Sequence, residues 1–214
     1  MEIKVMKNIM DANHKLAQRN RNYFKDNGIT AVNMMASPGA GKTSIIIKII
    51  EALKDSIPIN VIEGDIASSI DAEKIDRMGI PVMQINTGGG CHLDANMIDA
   101  AIKHLKMSKG TILFIENVGN LVCPSAFDLG EGMRMVIASV PEGHDKPYKY
   151  TSMFQGADVI ILNKSDLMEY MEFDKEFFYK GIQAVNESAL VFEVSSSTGH
   201  GIDGLVEWLR SERE

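Results

Sequence analysis

From Ile29 onward the chain alternates short, continuous apolar runs with longer stretches in which apolar residues return every three or four positions. The runs begin near Ala31, Ile59, Pro81, Thr111, Met133, Ala157 and Ala189, and the periodic stretches lie near 43–54, 71–78, 93–107, 147–155, 174–186 and 202–210. A strand that is apolar throughout must be covered on both faces. The alternation therefore predicts an α/β domain over residues 29–214, a mostly parallel sheet with helices on either side. Ahead of it, residues 1–28 read as an appended helical segment. Met6, Ile9, Met10, Leu16, Ala17, Tyr23 and Phe24 recur at helical spacing, and the Lys, Arg and Asn residues between them read as a solvated face. Asn27-Gly28 would close that helix. It is expected to pack on the domain as a lid or support, with no chemistry of its own.

Ligands in open parallel sheets sit at the carboxyl ends of strands, and the chemistry-bearing motifs here each follow a strand. Ala36-Ser37-Pro38-Gly39-Ala40-Gly41-Lys42-Thr43 stands between an apolar run and a helical one. This strand–glycine loop–helix setting is that of a phosphate-binding loop, and it predicts a P-loop NTPase. Backbone N–H groups from Gly39, Ala40, Gly41, Lys42, Thr43 and Ser44 would cradle a triphosphate at the helix N-terminus. Lys42 would reach the β and γ phosphates, and the Thr43 hydroxyl would hold magnesium. Ala36 replaces the motif's first glycine, which a strand end tolerates if its φ is negative.

The nucleotide reads as guanine-bearing. Asn163-Lys164-Ser165-Asp166 follows the run Ala157–Leu162. A carboxylate at Asp166 can accept from guanine N1–H and the exocyclic amine, whereas adenine would leave it unpaired, a mismatch worth roughly 10⁴ in discrimination. Lys164 would lay its stem over the base, and Asn163 would tie the loop together. Ser195, Ser196 and Ser197, after the last strand, would offer backbone N–H groups to guanine O6. Lys42 and Asp65 are the candidate catalytic residues. Asp65, in Gly64-Asp65, would hold magnesium or orient the attacking water; a helix-start carboxylate in the loop before residues 71–78 is the alternative. Glu116 would approach magnesium, and the Gly119 amide would sense the γ-phosphate. Asn120 stands where many GTPases place a water-orienting glutamine and is shorter by a methylene, which predicts slow intrinsic turnover.

Gly88-Gly89-Gly90-Cys91-His92-Leu93 is expected to open a helix, which would lower the Cys91 thiol pKa. Cys123 lies in the loop beginning at Gly119. Cys91, His92 and Cys123 thus come from neighbouring loops at one edge, and thiolates with imidazole suit zinc or nickel. Three ligands leave a position for water or for a second subunit. Burial as ordinary free cysteines is the alternative. The other histidines have no partner at ligand spacing: His14 and His104 read as helix-surface residues, and His144 and His200 stay unassigned.

Composition narrows the field. The chain has 214 residues, 22 basic against 29 acidic side chains, and a formal charge of −7, which disfavours a nucleic-acid partner and mildly attracts cations. No apolar run approaches a membrane span and no signal-peptide stretch opens the chain, so a cytoplasmic protein is expected. There the two cysteines would not form a disulfide. The 14 methionines sit mostly in apolar runs and read as core.

The phosphate loop, the Glu63-Gly64-Asp65 loop, Thr87–Leu93, Glu116–Pro124, Glu142–Pro147 and Asn163–Asp166 occur in one order. Together they resemble the nickel-insertion GTPases of NiFe-hydrogenase maturation, the HypB family, over residues 31–205. The related urease accessory GTPases carry Cys-Pro-His and lack the second cysteine, so Cys91-His92 with Cys123 favours the hydrogenase type. The resemblance implies a GTPase that binds nickel or zinc at Cys91, His92 and Cys123 and forms a GTP- or metal-dependent homodimer. It also implies that other hydrogenase maturation proteins and the hydrogenase large-subunit precursor are partners. A cysteine-rich N-terminus and a histidine-rich tract, found in some members, are missing, so neither an extra tight nickel site there nor nickel storage is expected. Lys146 and Lys149 read more simply as an exposed charged loop than as cations for a partner's γ-phosphate. A regulatory GTPase without metal delivery, or a urease-type GTPase, is the alternative.

Overall fold

A computed structural model describes residues 2–212 of the chain, with side chains from residue 10 onward. Seven strands form one sheet: β1 (Thr30–Ala36), β2 (Ile59–Asp65), β3 (Val82–Asn86), β4 (Ile112–Glu116), β5 (Met133–Ser139), β6 (Val159–Asn163) and β7 (Leu190–Glu193). Their order across the sheet is β3-β2-β4-β1-β5-β6-β7, and every neighbouring pair is parallel. The expected sheet is present and wholly rather than mostly parallel. Each predicted strand falls where the apolar runs place it, because the inner strands are buried along nearly their whole length.

Helices cover both faces. On one side, α2 (Lys42–Leu53) and α8 (Ile202–Ser211) bury Ile45, Ile46, Ile49, Leu205 and Leu209 against Val32, Met34 and Ile161. On the other, α4 (Ala95–Ile102) and α1 (Glu2–Asp26) enclose Phe24, Ile98, Ile102, Leu113 and Ile115. Further along that face, α6 (Thr151–Gln155) and α7 (Lys175–Val185) pack Phe154, Phe178 and Ile182 over β5 and β6. The short α3 (Ile70–Asp76) and α5 (Lys146–Lys149) complete the set. None of the described helices is long and apolar enough to cross a membrane.

Three expectations need correction. The helix predicted over 93–107 runs only from Ala95 to Ile102, because the Asp94 side chain accepts from Met97 N–H at 2.8 Å and sets the start there. Cys91 and His92 therefore lie in the preceding loop and do not open the helix. The segment 147–155 is two short helices, divided at Tyr150 (φ −123°, ψ 49°). On α1 the buried residues are Asn13, Ala17, Asn20 and Phe24, so two of the asparagines assigned to solvent face the protein instead. Met6 and Ile9 fall outside the described side chains. As expected, α1 ends at Asn27-Gly28, where Ile29 N–H returns to the Phe24 carbonyl at 2.8 Å.

Candidate nucleotide and metal site

At the carboxyl ends of β1, β2 and β4 lies a cleft of about 430 Å³. Pro38, Gly39, Gly41, Lys42, Thr43 and Ser44 line one side, and Glu63, Asp65, Asp71, Glu116, Asn117 and Gly119 line the other. Ala36 is the last residue of β1, and Lys164 is the one non-glycine residue at positive φ among those described, so the extra methyl at Ala36 costs no backbone strain. Gly41, at φ 103°, caps α2; a side chain there would collide with the amide of Asn163. The first turn of α2 has no acidic residue, which leaves its positive end open to an anion.

Carboxylates gather opposite the loop. The Thr43 hydroxyl donates to Glu116 Oε1 at 2.8 Å. Strand register sets Glu63 beside Glu116, and in each the second oxygen is buried without a partner. Burial pushes Glu63 up to about 8, with Glu116 and Asp65 adding to it. Burial also pushes Glu116 up to about 7, opposed by Lys42 and Thr43. Asp65 differs: its Oδ1 accepts from Ala67 and Ser68 N–H at 2.8 and 2.7 Å, and these bonds hold its carboxyl below the usual range. It caps the turn after β2 while lining the cleft, and it does not start α3, whose N-cap is Ser69. Two orphaned carboxyl oxygens beside a hydroxyl are the donor set of a hard divalent cation, and the residues fit magnesium. Glu63 was not singled out from the sequence. The available signal was a charged residue at the end of an otherwise buried strand, two positions before Asp65.

The predicted base-binding segments are stitched to the phosphate loop. Asn163 Nδ2 donates to the Ala40 carbonyl at 2.9 Å, and Asn163 Oδ1 accepts from Ser196 N–H at 3.1 Å. Lys164, held at φ 60°, donates to the Gly39 carbonyl at 2.7 Å. Ser195 is buried and its hydroxyl accepts from Thr198 N–H, while Ser197 and Asp166 are exposed beside this junction.

Cys91, His92 and Cys123 offer ligand atoms that all lie within 4.8 Å of one another, and each residue is half-buried. The fold therefore brings together three residues that the sequence separates by up to 32 positions (123 − 91). Cys91 Sγ lies 3.6 Å from His92 Nδ1. The His92 ring stacks on Phe127 with centroids 3.8 Å apart. A hydrogen bond with the neighbouring Cys123 pushes the Cys91 thiol up, the reverse of the shift expected from a helix start. Burial lowers His92, which favours the neutral imidazole that a metal needs. Asn120 Oδ1 accepts from Val122 and Cys123 N–H at 2.7 and 3.4 Å, so it shapes the cysteine turn instead of facing an attacking water.

The cleft and the thiols share one buried residue. Asn117 Oδ1 accepts from Val118 N–H and from Leu93 N–H, each at 3.0 Å, and its Nδ2 donates to Asn33 at 3.2 Å. Of the remaining candidates, Lys146 and Lys149 both pair with Asp145. His144 Nδ1 accepts from Asp174 N–H at 3.1 Å, and His14 and His200 are exposed.

The family model for the CobW/HypB/UreG nucleotide-binding domain matches residues 30–193. The hydrogenase maturation factor HypB of Rhizobium leguminosarum bv. viciae is 47% identical over 207 residues, which is 97% of this chain and 69% of that protein. HypB from Helicobacter pylori, solved in complex with nickel, superimposes with a TM-score of 0.89 at 36% identity, over 94% of this chain and 95% of that one. The hydrogenase maturation factor HypB of Archaeoglobus fulgidus superimposes with a TM-score of 0.89 at 39% identity, over 95% of this chain and 100% of its own. The parallel P-loop architecture is thus shared with solved relatives.

Proposed function

The chain belongs to the HypB family of hydrogenase maturation factors, within the CobW/HypB/UreG group, and from that premise we propose that it is a GTP-hydrolysing carrier of nickel. Nickel, or zinc in its place, is cargo held by Cys91, His92 and Cys123. The nucleotide state governs its release to a hydrogenase large-subunit precursor, with other maturation proteins as partners. The observation that carries this reading is the Asn117 side chain, hydrogen-bonded at once to the loop that faces the γ-phosphate position and to the residue after His92.

In this reading the triphosphate lies on the N–H groups of Gly39, Gly41, Lys42, Thr43 and Ser44, with Lys42 against its β and γ phosphates. Guanine sits between Lys164 and the Ser195–Ser197 loop, and Asp166 accepts its N1–H and amine. Asn163 holds both loops against Ala40, so base recognition and phosphate binding form one rigid unit. Thr43, Glu116 and Asp65, with Glu63 beside them, would hold magnesium, which when bound neutralises charge on the transferring phosphoryl group. Asp65, kept ionised by its backbone bonds, orients the attacking water. With no glutamine facing that water, intrinsic turnover is slow.

Gly119 contacts the γ-phosphate and packs against Pro38, where even a methyl would be crowded at 3.1 Å. A shift of Gly119 moves Cys123, four residues on, and pulls on Asn117, two residues back. One ligand directly and the other two through Leu93 therefore respond to the nucleotide. Three protein ligands leave room for water or for a second copy of the chain, and the latter gives a homodimer.

The test pairs two assays on the full chain. Hydrolysis is measured with GTP and with ATP, and nickel is titrated into the wild type and into Cys123→Ala. The reading predicts slow turnover of GTP alone and a loss of nickel affinity of tenfold or more in the variant. Equal use of ATP, or nickel binding indifferent to Cys123, contradicts it.

A further inference from the structure

The inner face of α1 carries two asparagines that an ordinary packing helix has no use for. Asn13 is 5% exposed and Asn20 fully buried. Asn13 Oδ1 accepts from Ala95 N–H at 2.9 Å, while its Nδ2 donates to the Asp128 carbonyl at 2.8 Å. Asn20 Nδ2 donates to the Ala95 and Leu129 carbonyls, both at 2.9 Å. Two amides two turns apart on one helical face thus tie the same pair of segments together, the start of α4 and residues 128–129.

Those segments are the continuations of the metal loops. Ala95 lies three residues after His92, and Asp128 directly follows Phe127, the ring on which His92 stacks. Leu93 between them is fixed by Asn117. Arg21 adds an ion pair to Asp128 at 2.7 Å. Gly130, at φ 91°, lies so close to α1 that a side chain there would meet the Ala17 carbonyl. The helix therefore bears on the 128–130 segment through backbone as well as side chains. A buried amide without partners is unfavourable, so an apolar residue would pack at either place at least as well. Asn13 is engaged through both its oxygen and its nitrogen, and Asn20 through both bonds of its nitrogen, with its Oδ1 buried and unpartnered, so each spans the gap between two loops.

We propose that Asn13 and Asn20 are positioning residues for the metal, holding the Cys91-His92 loop and the Cys123–Phe127 turn at ligand distance from each other. This rests on the reading of Cys91, His92 and Cys123 as the nickel site. Helix α1 then acts as a clasp across the site, and anything that lifts it off the domain loosens the metal.

The test uses the full chain without nucleotide and nickel(II) as the probe. Affinity is read by competition with a chelator, and thiolate–nickel bonding by the charge-transfer absorption. Asn13→Leu and Asn20→Leu preserve volume and burial while removing the ties. Each is expected to lower nickel affinity about tenfold or more and to weaken the charge-transfer band, since the two thiolates no longer converge. Thermal unfolding identifies folded variants. Lys15→Ala, which truncates an exposed side chain on the outer face of the same helix, serves as the control and is expected to keep both readouts. Wild-type nickel affinity and absorption in both Leu variants, with Cys123→Ala impaired, overturn the clasp and leave the nickel site standing. If Cys123→Ala also binds nickel normally, the site itself falls and the clasp with it.

Discussion

The side chain of Asn117 serves two loops with one oxygen. It lies in a short buried chain, Asn33–Asn117 on one side and Leu93 and Val118 on the other, at the carboxyl end of the central strands. Asn117→Ala leaves two N–H donors and the Asn33 side-chain Oδ1 unmatched in a dry environment, at about 1–3 kcal/mol for each group left unsatisfied. Thermal unfolding should fall by several degrees, at about 2–4 °C per kcal/mol for a domain of this size. Beyond stability, the variant should bring the ratio of nickel affinities in the two nucleotide states towards one. A stability loss with the wild-type ratio retained would show that Asn117 supports the fold without linking the sites. Glu63 is the complementary case, a carboxyl that burial pushes up to about 8.

Among the elements, α1 gains a role that its sequence did not disclose. Its contact with α4 is fastened by Asp99, whose carboxyl receives Lys103 Nζ at 2.6 Å and Arg19 Nε at 2.9 Å. Lys103 first and Arg19 with it hold that carboxyl below its usual range, against the opposing effect of burial. A carboxyl lowered on folding adds stability above its unfolded pKa of about 3.9, and loses it as pH falls through the lower folded value. The difference in thermal stability between wild type and Asp99→Asn should therefore be present at neutral pH and shrink below about pH 4. A constant difference across that window would mean that Asp99 acts through shape and not charge. The strands were legible because parallel strands buried on both faces read as unbroken apolar runs, from Ala31 through Val159. The start of α4 was not, since capping by Asp94 depends on a side-chain bond to Met97. Asn13 and Asn20 read as solvated because helical spacing tells which residues share a face but not that a polar one has partners there. Cys91, His92 and Cys123 were visible as types on neighbouring loops, and the strand order β3-β2-β4 sets how close those loops come.

At the scale of the whole molecule, one sheet edge gathers the phosphate loop, the acidic cleft and the thiols, and the segment 116–123 touches all three. A net charge of −7 favours metal ions as visitors to that edge. Because binding free energies are reciprocal, a nucleotide that alters nickel affinity must itself be bound differently when nickel is present. A coupling of about 1–3 kcal/mol corresponds to a 5- to 150-fold change in affinity. The most direct measurement is a calorimetric or chelator-competition titration of nickel into the full chain, once with GDP and once with a non-hydrolysable GTP analogue. A ratio within that range, matched by the same ratio for the analogue with and without nickel, is the expected result. Identical nickel affinities in the two nucleotide states would contradict the account.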